Sequence, residues 1–401
     1  MLWMLQKCWY RIFQVLLSFA ECLMPWRKPK LLQGCGVIKK LPQLIRSEGI
    51  ERVLIVTGGT ISRLGLLDSL YQSCRDAGLS YTLFNSVEAN PSLETVERGR
   101  AQYLENQCQA IIAFGGGSPM DCAKAIGARI ARPKKTVAQM AGTLRVLKRI
   151  PPLYAVPTTS GTGSETTIAA VITDRETHHK FAINDLCLMP RYAVLDPELT
   201  VGMPPNTTAT TGMDALTHAV ESYTNRFAPR FTRQFALKAV ELIFANLEAA
   251  YRDGTDLAAR ENMQRASFYA GVAFTRTGVG NVHAIAHTLG GLYGTPHGLA
   301  NAVLLPVVLQ EYGSAVHKPL ARLAEAVHLE GATDAEKAAA FLARICRMNQ
   351  QMQIVDRFDF IEDADIPQMV AWATREANPL YPVPVIWGTK EFTAAISHCR
   401  A

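Results

Sequence analysis

The 401-residue sequence has no C-x-x-C pair, no low-complexity tract and no repeat of fixed period. Without a repeat, solenoid and propeller architectures are excluded. Without paired cysteines, thiolate zinc ribbons and iron-sulfur clusters are disfavoured. The nine cysteines, Cys8, Cys22, Cys35, Cys74, Cys108, Cys122, Cys187, Cys346 and Cys399, are odd in number and scattered. They fit free thiols in a reducing, cytoplasmic compartment better than a disulfide framework. Charge is scarce at 19% of residues against 48% hydrophobic, which excludes a disordered chain and suits a two-domain globular protein.

Charge of either sign in excess is also missing from most of the chain. Residues 1–50 hold eight Lys or Arg and two Glu, so 8 − 2 = +6 accounts for the whole net charge of +6. The same segment carries Trp3, Trp9 and Trp26. From Leu2 to Met24 the polar residues Lys7, Arg11, Gln14, Ser18 and Glu21 recur at 4, 3, 4, 3 spacing, a narrow polar stripe on an otherwise apolar helix. Its longest uncharged run, Ile12 to Ala20, falls far short of the ~20 residues that cross a bilayer. No small-x-small cleavage site follows, so residues 1–30 read as a retained amphipathic extension. Such a helix lies on an anionic membrane, meets another subunit, or caps the core.

Beyond it, β-rich runs (RVLIVTGG, SYTLFNSV, QAIIAFGGGS, LYAVPTTS, YAVLDPELT) occupy residues 31–204, with helical patterns between the first three. Alternating strands and crossover helices predict a mainly parallel, Rossmann-like sheet in an α/β domain. Over 205–401 strand signals stop and apolar residues recur at helical spacing, which predicts an all-α domain.

Candidate chemistry lies in both parts. In GMDALTHAV, Asp214 and His218 are four apart, as are His283 and His287 in NVHAIAHTLGGLYGTPHG, with His297 ten residues later. On a helix each such pair shares a face. Imidazoles with one carboxylate and no thiolate suit Fe(II) or Zn(II), not calcium or magnesium. A lone histidine on an apolar helix is usually a core residue, but four clustered with a costly buried aspartate favour a metal centre. At AFGGGSPMDCAKAIGAR, Gly116, Gly117 and Ser118 end a strand and Pro119 opens a helix, so backbone N–H groups can meet a phosphate. Neither G-x-G-x-x-G nor the P-loop pattern is matched there. PTTSGTGSETT offers Thr158, Thr159, Ser160, Thr162 and Ser164 at another strand end. Two such loops on one sheet edge favour a dinucleotide crevice.

GGGSPMDCAKA, PTTSGTGSE, DPELT, GMDALTHAVESY and HAIAHTLGGLYGTPHGLANAVLLP, in that order, resemble the iron-containing (group III) alcohol dehydrogenase family. The resemblance implies a dehydroquinate synthase-like architecture and NAD(P)-linked oxidation of an alcohol or reduction of an aldehyde. It implies that Asp214, His218, His283 and His297 bind the metal, with His287 beside them handling a proton. It also implies that Gly116, Gly117, Ser118 and Asp121 lie near the pyrophosphate, that Thr158, Thr159 and Thr162 line the crevice, that Asn90 approaches the nicotinamide side, and that Lys180 contacts the ribose. Many members have an acidic residue after the first strand, where this chain has Gly58 in LIVTGGT. A carboxylate there would repel a 2′-phosphate, so its absence, with Arg63 nearby, predicts use of both NAD and NADP.

On this reading the substrate, a small alcohol or aldehyde, lies between the domains, with Phe274, Leu292 and Tyr293 apolar near the metal helices. A homodimer is the default assembly, and no nucleic-acid partner is expected. The architecture also hosts phosphate-substrate lyases and dehydrogenases. Those need basic residues, and Arg276 is the nearest to the ligand segments. A non-catalytic scaffold is argued against by the intact ligand set.

Overall fold

The computed structural model describes residues 2–175 and 179–401. The chain divides into two compact units, Trp26–Gly202 and a discontinuous one formed by Met1–Pro25 with Met203–Ala401. The N-terminal segment thus groups with the helical half.

Helix α1 (Leu2–Cys22) comes first. The α/β unit follows as β1 (Lys30–Gln33), α2 (Leu41–Ser47), β2 (Arg52–Gly58), α3 (Gly59–Arg63), α4 (Asp68–Asp76), β3 (Ser80–Val87), α5 (Leu93–Glu105), β4 (Ala110–Gly115), α6 (Gly117–Ala131), β5 (Gly142–Thr143), β6 (Leu153–Pro157), β7 (Ala169–Asp174), β8 (His179–Asn184) and β9 (Tyr192–Leu195). Six strands form one parallel sheet in the order β1-β9-β6-β4-β2-β3. Alternate residues of its central strands feed two cores: Leu54, Val56, Ile111 and Ala113 on one face, Val53, Ile55, Ile112 and Phe114 on the other. Both faces being covered explains why these strands read as continuous apolar runs. Fully burying each such aliphatic side chain contributes ~1.5–3 kcal/mol.

Three strands escaped the sequence reading. Strands β5, β7 and β8 make a second sheet, ordered β5-β8-β7, in which β7 and β8 are antiparallel. Edge strand β1 in KLLQ is too short for a clear pattern.

The helical unit continues with α7 (Pro205–Thr224), α8 (Arg230–Arg252), α9 (Leu257–Thr277), α10 (Asn281–Leu292), α11 (His297–Tyr312), α12 (His317–Ala326), α13 (Asp334–Gln351), α14 (Ile366–Ala377) and α15 (Thr389–His398). The break after Thr224 falls at Asn225, whose side chain donates to Thr277 O at 2.8 Å and accepts from Phe227 N at 2.9 Å. A competing side-chain bond of this kind ends helices. The stretch His297–Ala326 is long and apolar enough to cross a membrane, but 61% of its most apolar window is buried in the helical core. It is a core segment.

Candidate metal centre and nucleotide edge

Three helices bring the candidate metal ligands together. Helix α7 supplies Asp214 and His218, α10 supplies His283, and α11 opens on His297. One donor atom from each lies within 4.8 Å of all the others. Asp214 Oδ1 is 3.6 Å from His297 Nε2 and 4.0 Å from His283 Nε2, and Asp214 Oδ2 is 4.0 Å from His218 Nδ1. Ligands ~2.1 Å from a zinc-like ion stand roughly 3.4 Å apart in a tetrahedron, so these separations suit a single cation after small adjustment.

The chemistry of the donors fits as well. The Asn301 amide nitrogen stands 2.7 Å from Asp214 Oδ1, 3.2 Å from His283 Nε2 and 3.1 Å from His297 Nε2. Three of the four candidate donor atoms thus lie around one point, where a cation could be held. Burial, then the neighbouring His218 and His297, hold His283 well below its ordinary pKa, so its ring is neutral and able to ligate. His218 is sandwiched by Phe274 at 4.1 Å between ring centroids and His283 at 4.6 Å, which fixes its ring plane.

The sequence left His283 and His287 as alternatives, and the structure separates their surroundings. His283 Nδ1 lies 2.6 Å from Glu221 Oε2, leaving Nε2 toward Asp214. Glu221 also accepts from Gly280 N at 2.7 Å and Val282 N at 2.8 Å, at the start of α10. A Cβ on Gly280 would come within 2.6 Å of Glu221 Oε1, so only glycine allows this approach. Burial pushes Glu221 up to about 8 against the pull of those two N–H groups. His287 instead has Nδ1 2.6 Å from Glu376 Oε1, which also accepts from the Tyr381 hydroxyl at 2.7 Å. Burial raises the Glu376 carboxyl, but His287 and Tyr381 outweigh it and hold it below its ordinary value. The His287 ring stacks on His297 at 5.3 Å.

Glu221, Asn301 and Glu376 were missed by sequence reasoning. Glu221 is seven residues after Asp214, and Asn301 is four after His297, so helical spacing could have found both. Glu376 is far away in sequence and gave no signal. Of the apolar neighbours expected near the metal, Phe274 touches a ligand. Tyr293 donates to Asp365 Oδ2 at 2.6 Å, and Leu292 packs on the helical core. Arg276 lies over the Phe231 ring at 6.0 Å and lines a hollow with Glu21 and Asn225.

In the α/β unit, the chain leaves β2 for β3 on one side and returns to β4 on the other. Ligands of open α/β sheets bind beyond the strand ends at such a switch point. Gly58 and Gly59 end β2, Gly115 to Ser118 end β4, and Thr158 to Thr162 follow β6, all on the carboxyl edge. Gly115 has φ of 143°, and a Cβ there would meet Pro119 Cγ at 2.8 Å. Helix α6 starts at Gly117 without a side-chain cap. Cβ atoms on Gly116 and Gly117 would meet the side chains of Thr159 and Thr162 at 3.4 and 3.1 Å, so the two loops are packed together. Asn90, at φ 58°, has its N–H 3.4 Å from Ser118 Oγ and accepts at Oδ1 from Lys180 Nζ at 3.1 Å.

Asp121 has a bracing role in this edge: Oδ1 accepts from Ser164 Oγ at 3.0 Å and Oδ2 from Val171 N at 3.2 Å. Lys124, also unremarked in the sequence, is fully buried and donates to Ser164 O, Ser164 Oγ, Thr167 Oγ1 and Ala169 O at 2.7–2.9 Å. Burial lowers it to about 8, partly offset by Asp121 and Glu165. Gly58 pairs with Val87 past a register shift in β2, and a Cβ there would lie 3.3 Å from Val87 O. Arg63 Nη2 donates to Thr60 Oγ1 at 3.2 Å, and its Nη1 lies 3.5 Å from the Cβ position of Gly59.

Comparison with known proteins now bears on these two sites. Residues 28–197 match the family described as iron-containing alcohol dehydrogenase, and residues 208–387 match the Fe-containing alcohol dehydrogenase family, C-terminal. A 1,3-propanediol dehydrogenase of Klebsiella pneumoniae is 40% identical over 375 residues, 92% of this chain and 94% of that protein. An NADPH-dependent butanol dehydrogenase of Clostridium saccharobutylicum is 37% identical, over 78% of this chain and 81% of its own. An NAD-dependent methanol dehydrogenase of Bacillus methanolicus is 36% identical, over 81% and 86%. A crystal structure of a 1,3-propanediol oxidoreductase superposes with a TM-score of 0.91 at 35% identity, covering 94% of this chain and all of that one.

Proposed function

The chain belongs to the iron-containing alcohol dehydrogenase family, whose chemistry is metal-dependent, NAD(P)-linked oxidation of alcohols and reduction of aldehydes, and from that premise we propose an assignment of its parts. Asp214, His218, His283 and His297 hold one divalent metal, Fe(II) by family and Zn(II) by equal ligand chemistry. The observation that carries this is the mutual approach of their donor atoms within 4.8 Å. Bound there, the metal supplies Lewis-acid polarisation of the substrate oxygen, and the nicotinamide exchanges the hydride.

The protein's own groups do the rest. Glu221 keeps the proton of His283 on Nδ1, which leaves Nε2 as the donor to the metal. His287 takes or returns the alcohol proton, its Nδ1 already in contact with the Glu376 carboxylate that balances the resulting charge, and the Tyr381 hydroxyl donates to that carboxylate and holds it in place. Gly117 and Ser118 N–H groups at the positive end of α6 receive the pyrophosphate, with Gly116 allowing close approach. Thr158, Thr159 and Thr162 line the same edge, Asn90 and Lys180 act together on the ribose and nicotinamide side, and Asp121 secures the loop behind them. Gly58 with Arg63 admits NADP beside NAD. Phe274 against His218 and the scarcity of Lys and Arg in the ligand-bearing segments favour a small, uncharged primary alcohol or diol, as the named diol-oxidising relative does.

We further propose a cytoplasmic homodimer in which residues 1–30 make a contact outside the fold. Activity tests the main reading. Metal-stripped protein given Fe(II) or Zn(II), short alcohols or diols, and NAD or NADP should reduce both nucleotides, and His283→Ala should abolish turnover. Full turnover by that variant refutes the assignment.

A further inference from the structure

Helix α1 is amphipathic in the reverse of the usual sense. Its polar stripe faces the protein. Gln14, fully buried, donates from Nε2 to the carbonyls of Pro379 and Tyr381, both at 2.9 Å. Arg11 donates to Pro384 O at 2.9 Å and to Gln14 Oε1 at 2.8 Å. Trp3 lies so close to Gly388 that a Cβ there would be 2.8 Å from its ring. Three polar contacts to loop carbonyls thus fix the rotation of the helix.

That rotation turns the apolar side outward. Leu5, Trp9, Ile12, Leu16, Phe19 and Leu23 are each 54–72% exposed, while Lys7, Arg11 and Glu21 lie off this face at intermediate burial. A soluble protein rarely leaves so continuous an apolar band open, and such bands mark contact sites. Two features choose the occupant. With Met4 and Val15, 71% and 51% exposed, the band is wider than one column and has no flanking charges, whereas a two-helix seam is a single column bordered by charged e and g positions. Arg27, Lys28 and Lys30, all exposed, follow within eight residues of the helix end, and the whole net charge of the chain lies in its first 50 residues. A broad apolar band with tryptophan, followed in sequence by a cationic segment, matches a slab of anionic lipid.

We propose that the outward face of α1 docks this enzyme on an anionic membrane surface, lying in the headgroup layer without crossing it. The inference deepens the outside contact assigned to residues 1–30 and is independent of the metal chemistry. The test is flotation of the full chain with vesicles of phosphatidylcholine alone or mixed with phosphatidylglycerol, alongside sedimentation without lipid. The protein should float with the mixed vesicles, and less so as salt rises. Leu5→Glu with Leu16→Glu should weaken that binding at least tenfold while turnover of a soluble alcohol is unchanged. Failure to float, or equal flotation of the variant, overturns the proposal. So does an oligomer that the variant dissociates in the absence of any vesicle binding, which would make a second copy the occupant. Equal flotation with both vesicle types overturns the role of the cationic segment.

Discussion

Glu221 touches no reacting atom, yet three donors, two of them backbone N–H groups, hold it against His283. Exchanging one carboxyl oxygen for an amide nitrogen leaves His283 free to place its proton on either ring nitrogen, and loss of such an outer partner typically weakens metal binding by about 10–100-fold. Glu221→Gln should therefore show a fall of that order in Fe(II) or Zn(II) affinity, read by chelator competition, with the fold kept by circular dichroism. An unchanged affinity would remove Glu221 from the centre. At the nucleotide edge, Gly58→Asp should shift preference toward NAD by repelling a 2′-phosphate. The ratio of kcat/KM for the two nucleotides measures this. The 3.3 Å approach to Val87 O means the added Cβ also strains the end of β2, so a modest loss of thermal stability should accompany the switch.

At the scale of elements, α1 is held by polar contacts, and this makes its seating sensitive to pH. Burial pushes Glu21 up to about 7, opposed by Arg276. The seated helix thus keeps a proton that a free helix would lose at an ordinary carboxylate pKa. Seating is strongest below that ordinary value, weakens as pH rises from there to about 7, and is weakest above. Amide protection factors of residues 10–20, corrected for intrinsic exchange, should be higher at pH 6 than at pH 8, and Glu21→Gln should remove the difference. The stripe itself was legible as a 4, 3, 4, 3 spacing, but which side faced the protein was not. Periodicity gives the existence of two faces, while their direction depends on carbonyls at Pro379, Tyr381 and Pro384, some 370 residues away.

At the scale of the molecule, all four proposed ligands lie in the helical unit, on three helices that are separate in sequence. A metal that binds only the folded state stabilises it by RT ln(1 + [M]/Kd), about 2.7 kcal/mol at a hundredfold excess over Kd. Chelation should accordingly lower the melting temperature of the helical unit by several degrees, with recovery on adding Fe(II) or Zn(II), and leave the α/β unit's transition in place. Scanning calorimetry distinguishes this from a metal that binds loosely and shifts nothing.

The sequence by itself determined the local matters: continuous apolar strands covered on both faces, helical spacing after residue 205, the glycine turn before α6, and the residue types able to bind a metal. Each depends on a period or turn chemistry within a few residues, and the resemblance carried by five motifs extended that to a family and a ligand set. Tertiary structure decided what depends on distant partners. Glu221 in α7 and Glu376 in α14 give His283 and His287 different surroundings, and Asp121 and Lys124 brace a loop some 40 residues on. Helix α1 likewise turned its polar stripe inward, toward carbonyls far away in sequence. In each case the deciding contact joins atoms that chain spacing leaves uncorrelated.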